Sequence, residues 1–146
     1  MYKQERSIDV KVKRLSPDVK LPTQAYKGDA GWDVYSVVEV YIPAGEMREV
    51  KTGISLEVPV GWQTQIHTRS SYGKKCLKCH LGIIDSGYRN EISVWLFNHG
   101  KEGHYIRKGD KVCQLLFLPV PEVKLTEVQN LNSSERGLRG HGSTGN

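Results

Sequence analysis

Alternation of apolar and polar residues dominates this chain. Ile8, Val10 and Val12 alternate with Asp9, Lys11 and Lys13, the two-residue period of a half-buried strand. Strand-like runs recur near residues 34–42, 48–58, 62–68, 91–97, 112–120 and 122–128. Turn-forming clusters separate them: Pro43-Ala44-Gly45, Pro59-Val60-Gly61, Asn98-His99-Gly100 and Lys108-Gly109-Asp110. Many short strands at such spacing predict an all-β chain, a jelly-roll-like sandwich or barrel. No stretch carries a long helical period, and only a short helical turn after Arg69 is expected.

The pattern changes near Gln129. Asn130-Leu131-Asn132-Ser133-Ser134 is polar, and Gly-rich sequence with few apolar residues runs on to Asn146. Such a segment buries too little surface to offset its ordering entropy. The chain therefore divides into a β domain, 1–129, and a flexible C-terminal arm, 130–146. The arm's content argues against a frayed end. Arg136, four glycines and the Ser143-Thr144 pair fall within residues 136–145. Glycines let backbone amides approach phosphate oxygens, hydroxyls add donors, and arginine binds phosphate in a bidentate way. This is the composition of a lid that orders on a ligand.

Composition narrows the class only slightly. The 146 residues suffice for one domain with a real core, and 38% hydrophobic and 25% charged residues are ordinary for a soluble protein. No apolar run approaches the roughly 20 residues of a membrane span. No secretion signal follows Met1, so a cytoplasmic protein is expected, or one of the host cytoplasm if its source is a virus. The net charge of +5 suits any polyanion. Its lysines are scattered, with Lys74, Lys75 and Lys78 the densest group, and no direct nucleic-acid binding is expected. Cys76-Leu77-Lys78-Cys79-His80 has the C-x-x-C-H spacing of haem attachment and begins like a zinc site. A zinc site needs about four ligands, and the one remaining cysteine, Cys113, lies far along the chain. Free, reduced thiols are the expectation.

The densest chemistry lies in Gly82-Ile83-Ile84-Asp85-Ser86-Gly87-Tyr88-Arg89-Asn90-Glu91-Ile92. It sets a carboxylate and a phenol three residues apart across a Ser-Gly turn, between apolar β-formers. A hairpin here would hold Asp85 and Tyr88 in one pocket, the first as a base and the second as a flat wall. The alternative is an ordinary turn capped by an aspartate.

Four further blocks flank this one: Ala30-Gly31-Trp32-Asp33-Val34, Arg69-Ser70-Ser71-Tyr72-Gly73, Gly109-Asp110-Lys111-Val112-Cys113-Gln114-Leu115, and Arg136-Gly137-Leu138-Arg139-Gly140-His141-Gly142-Ser143-Thr144-Gly145. In this order and spacing, from about Leu21 to Gly145, the five blocks closely resemble the trimeric dUTP pyrophosphatases (dUTPases). The resemblance implies a Mg²⁺-dependent homotrimer that hydrolyses dUTP to dUMP and pyrophosphate, with active sites shared between subunits. Asp85 then orients the water that attacks the α-phosphorus. Tyr88 packs on deoxyribose and excludes a 2′-hydroxyl. The segment from Leu77 to Ile84, with Cys79, Gly82, Ile83 and Ile84, matches the hairpin that reads uracil through its backbone. There Cys79 stands where many members carry asparagine, and the hairpin is short. Arg69, Ser70, Ser71, Gly73 and Gln114 match phosphate-contacting positions. Asp33 matches an aspartate at the Mg²⁺ site, acting through water while the triphosphate holds the ion. Arg136 matches an arginine that reaches the γ-phosphate, with Gly142, Ser143 and Thr144 beside it as further phosphate contacts. His141 occupies the position of a phenylalanine that stacks on uracil, and imidazole is also flat.

Two other readings stay open at this level. A relative of the same fold could deaminate dCTP, although that branch uses a glutamate to activate water. A non-enzymatic binding module is the second.

Overall fold

The computed structural model describes residues 7–80 and 82–140. Among them, eleven strands and one short helix follow in order: β1 (Lys11–Arg14), β2 (Trp32–Tyr35), β3 (Val40–Ile42), β4 (Met47–Lys51), β5 (Ile54–Glu57), β6 (Trp62–His67), α1 (Ser70–Lys74), β7 (Leu77–Cys79), β8 (Gly82–Ile84), β9 (Ser93–Asn98), β10 (His104–Ile106) and β11 (Lys111–Pro119). Every ladder is antiparallel. The sheets run β2-β11-β6-β8, β4-β9-β7, β1-β5 and β10-β3. This is the all-β, jelly-roll-like architecture expected from the alternation, with the single helical turn where Arg69 predicted it.

Alternation builds the core directly. In β9, Val94, Leu96 and Asn98 point inward while Trp95 is exposed. Ile42, Ile54, Leu96 and Leu115 are fully buried with Val34, Val50, Val94 and Val112. Each contributes about 1.5–3 kcal/mol of transfer free energy. Asn98 is one of the polar residues buried with them, and it is satisfied. Its amide donates to Ile42 O (3.1 Å) and Glu102 O (2.8 Å), and its Oδ1 accepts from Gly100 N (2.9 Å), which closes the turn after β9.

Several expected strands are redrawn. The run 34–42 is two strands, because Ser36 folds back on Val38 (Oγ to O 2.7 Å) and its amide and carbonyl pair with Asp110 and Gly109. The run 48–58 breaks at Thr52-Gly53, where Gly53 takes φ 68° and a Cβ would lie 2.7 Å from Val19 Cγ2. Only glycine fits both constraints. The short strand β10 was not anticipated. β1 begins at Lys11 rather than Ile8, and all four of its residues are exposed.

The expected strand at 122–128 is absent: this segment is irregular, with Val123, Leu125 and Val128 exposed. Its alternation has no partner strand here, and an unpaired strand satisfies none of its own backbone groups. Beside β1, which pairs only with β5 among the described residues, lies an apolar groove of about 540 Å³ lined by Val10, Val12, Trp32, Leu56, Trp62 and Phe117.

Thr64, in the centre of β6, is fully buried, and its hydroxyl has no hydrogen-bond partner among the described residues. Thr64→Val removes that desolvated group while keeping the shape. It should raise stability by about 1 kcal/mol in denaturant unfolding. A loss of stability would mean that the hydroxyl has a partner in the assembled protein.

Candidate active site

The turn after β8 is closed by one main-chain bond and one guanidinium. Tyr88 N donates to Asp85 O at 3.0 Å, and Arg89 Nη1 donates to Ser86 O at 2.6 Å. Downstream, the Tyr88 hydroxyl donates to Glu91 O (3.0 Å), and Glu91 Oε1 accepts from Gly53 N (3.0 Å). The loop is thus tied to the β4–β5 break. With the turn closed this way, the exposed Asp85 carboxylate caps nothing and has no partner among the described residues.

The loop is not a hairpin in the sense expected. β8 pairs with β6, whereas β9 pairs with β4 and β7, so residues 82–92 cross from one sheet to another. The same correction applies to residues 77–84, since β7 and β8 belong to different sheets. Tyr88 walls a cleft of about 250 Å³ with Ile66, Gly82, Ile83, Ile84 and Trp95. Asp85 does not line that cleft, contrary to the expectation of a common pocket. The Cys79 side chain is buried in the core, and its amide donates to Thr68 Oγ1 (2.9 Å). Burial pushes the Cys79 thiol up to about 11. Cys76, Cys79 and Cys113 are free, and only Cys76 is exposed.

Three of the remaining blocks converge elsewhere. β2 lies against β11 with Asp33 opposite Gln114. Gly31 lets Gln114 lie over it, since a Cβ there would fall 2.2 Å from Gln114 Oε1. Gln114 Nε2 donates to Thr68 O (3.3 Å), tying β11 to the chain leading into α1. Arg69, which precedes α1, donates through Nε to Asp33 Oδ1 (3.2 Å) and through Nη1 to Lys111 O (3.3 Å). Lys111 Nζ lies 2.9 Å from Asp33 Oδ2. Hydrogen bonding to Asp33 raises the Lys111 ammonium above its ordinary value. Lys111 was not singled out from the sequence, and neither was Trp95.

Ser70, Ser71 and Gly73 are exposed on α1, beneath which Tyr72 is buried and its phenol pushed up to about 12. The Gly73 amide already donates to Arg69 O (3.2 Å), which leaves its availability to a ligand in conflict with the expectation. Among the described residues, no group of three or more His, Cys, Asp or Glu could hold a metal ion. With both Asp33 oxygens engaged by cations, the donor set here fits an ion that arrives on its substrate and meets the chain through water.

The two clusters are far apart within one chain. Ile84 lies opposite Thr64, which places Asp85 near Gln63, while Gln114 lies opposite His67 on the other side of β6. Four residues along the strand and two strands across separate Asp85 from Gln114 by roughly 16 Å in a flat sheet. Arg136 lies in neither cluster. Its guanidinium donates to Arg139 O (3.0 Å) and Gly140 O (3.2 Å), and residues 121–140 hydrogen-bond only within themselves among the described residues. His141, Gly142, Ser143 and Thr144 lie outside the described residues. No helix among the described residues is long and apolar enough to cross a membrane.

Comparison with known proteins gives the arrangement its context. The sequence profile of the dUTPase family matches residues 17–145. A deoxyuridine 5'-triphosphate nucleotidohydrolase of Clostridioides difficile is 43% identical over 140 residues, covering 94% of this chain and 98% of that protein. One from Clostridium acetobutylicum is 42% identical over 141 residues, covering 94% and 97%. Among solved structures, the Staphylococcus bacteriophage 80alpha dUTPase with dUPNHPP has a TM-score of 0.85 at 27% identity, covering 95% of this chain and 99% of that one. A dUTPase variant from phage phi11 of S. aureus, described with a structural Mg(II) ion, has a TM-score of 0.81 at 24% identity over 86% and 100%, a likeness of fold alone.

Proposed function

The chain belongs to the dUTPase family and hydrolyses dUTP to dUMP and pyrophosphate, and we propose that Asp85 activates the water in an active site that only a homotrimer completes. One observation carries the assignment of Asp85. One main-chain bond and the Arg89 guanidinium close its turn and leave the carboxylate unpartnered among the described residues, in the same turn as the tyrosine that walls a cleft.

In this reading, uracil and deoxyribose enter the cleft of Tyr88, Ile83 and Ile84. The main chain around Gly82 reads the base edge, and the phenol stacks on a sugar with no 2′-hydroxyl. Cys79 contributes through its main chain alone, because its side chain is buried. Arg69, Ser70, Ser71 and Gln114 of a neighbouring subunit hold the triphosphate with charge-assisted and neutral hydrogen bonds. Asp85 takes a proton from water as the water oxygen bonds to the α-phosphorus. The bond from the α-phosphorus to the α,β-bridging oxygen breaks, and pyrophosphate leaves with that electron pair. Mg²⁺ on the triphosphate supplies neutralisation of the charge that develops on the leaving group. Arg136, Gly142, Ser143 and Thr144 of an arm close over the phosphates, with His141 stacked on uracil. The setting is the cytoplasmic nucleotide pool.

Two features support shared sites. The roughly 16 Å between Asp85 and Gln114 leaves water activation and triphosphate binding on separate parts of one chain. The unpaired alternation of 122–128 also matches the edge of β1 that pairs with no strand among the described residues, and its apolar groove, as an arm exchanged around a closed ring would require.

Pyrophosphate release from each dNTP and from UTP, with and without Mg²⁺, tests the reading. Only dUTP with Mg²⁺ should be turned over efficiently, and dCTP should release no ammonia. Tyr88→Ala should narrow the ratio of kcat/KM for dUTP over UTP by about tenfold or more. An unmoved ratio would remove the phenol from its role as the sugar filter.

A further inference from the structure

Lys111 is bound to the machinery of the site without being assigned to it. A register shift between Lys111 and Cys113 interrupts the β11–β2 ladder. Val112 and Cys113 are consecutively buried as a result, and Lys111 emerges on the same face as Gln114. There its ammonium lies 2.9 Å from Asp33 Oδ2, and its carbonyl accepts from Arg69 Nη1. Arg69 Nε holds the other oxygen of the same carboxylate. Asp33 is thus pinned between two cations with 16% of its side chain exposed.

We propose that Lys111 is a positioning residue for the triphosphate subsite: it clamps Asp33 so that this carboxylate presents Arg69 to the phosphates instead of binding metal directly. The inference rests on the dUTPase reading of the site. One carboxylate cannot neutralise two cations, so the cluster keeps a surplus positive charge beside Ser70, Ser71 and Gln114. Without Lys111, Asp33 is anchored from one side only, and the Arg69 fork loses its fixed orientation. A planar guanidinium binds phosphate well only when so oriented.

The test is calorimetric affinity for a non-hydrolysable imido analogue of dUTP, in EDTA and again with Mg²⁺. Lys111→Met should weaken binding about tenfold in both buffers, the size expected for losing one charge-assisted contact, while Lys111→Arg should stay within about threefold of wild type. Asp33→Asn should also weaken binding in EDTA, which a residue serving only the metal would not do. Melting temperatures of Lys111→Met and wild type should agree, because the Lys111 ammonium is solvent-accessible. Unchanged EDTA affinity for Lys111→Met, or a loss for Asp33→Asn confined to Mg²⁺, overturns the clamp. Equal losses in Lys111→Arg and Lys111→Met also overturn it. Wild-type protein that does not bind the analogue at all would overturn the dUTPase reading, and the clamp with it.

Discussion

Replacing Asp85 with asparagine should slow dUTP turnover by roughly 10²–10⁴-fold while leaving analogue binding near wild type, the range expected when a general base is lost. The substitution keeps the shape and removes the basicity. It should not disturb the fold, because the Asp85 carboxylate accepts no hydrogen bond from any described residue and the turn is closed by its carbonyl. The measurements are single-turnover rates at saturating dUTP, affinity for the imido analogue, and thermal unfolding. Near-normal turnover would take water activation away from Asp85. A large fall in melting temperature would return the residue to the role of a turn former.

A chain ended after Gln129 should keep its fold and the proposed trimer and lose most of its activity, about 10²-fold or more, the scale on which lid closure and substrate positioning act. Every described residue from 130 to 140 is exposed, with hydrogen bonds only to its own neighbours, so removal uncovers no core. The loss should appear in turnover and in triphosphate affinity, with little change in melting temperature. Sharing between subunits makes a sharper demand. Co-refolding the truncated chain with Asp85→Asn protein should restore some activity. In such hybrids an intact turn from one chain meets an intact arm from another. Subunit exchange is confirmed by native mass spectrometry. Confirmed hybrids no more active than either parent would place turn and arm within one subunit and end the shared-site reading.

The individual elements show what could be read in advance. The jelly-roll-like class was legible because Val94 and Leu96 alternate with outward residues in β9 and because turn residues recur between short apolar runs. The helical turn at Ser70–Lys74 was legible as well. Run boundaries were not. The break at Ser36 depends on pairing with Gly109 and Asp110 besides its local bond to Val38, and the break at Gly53 on contacts with Val19 and Val37, so each needs residues remote from it in sequence. The run at 122–128 has a strand's alternation and no strand, because pairing is a property of two segments and not of one.

By itself, the sequence determined the fold class and the family through its five ordered blocks, and it singled out Asp33, Arg69, Asp85, Tyr88 and Gln114 as the candidates for the chemistry proposed above. Residue type and local period carry that information, and both are printed in the chain. The tertiary structure alone decided which of these groups meet. It set Asp33 opposite Gln114 and against Arg69. It sent β8 and β9 to different sheets and left Asp85 outside the cleft that Tyr88 walls. It also brought Lys111 to Asp33. Lys111 and Gln114 are three residues apart, and on a regular strand an odd spacing puts two side chains on opposite faces. One irregularity in the ladder, at Val112, reverses that parity and places an ammonium where the sequence period would have put an apolar neighbour.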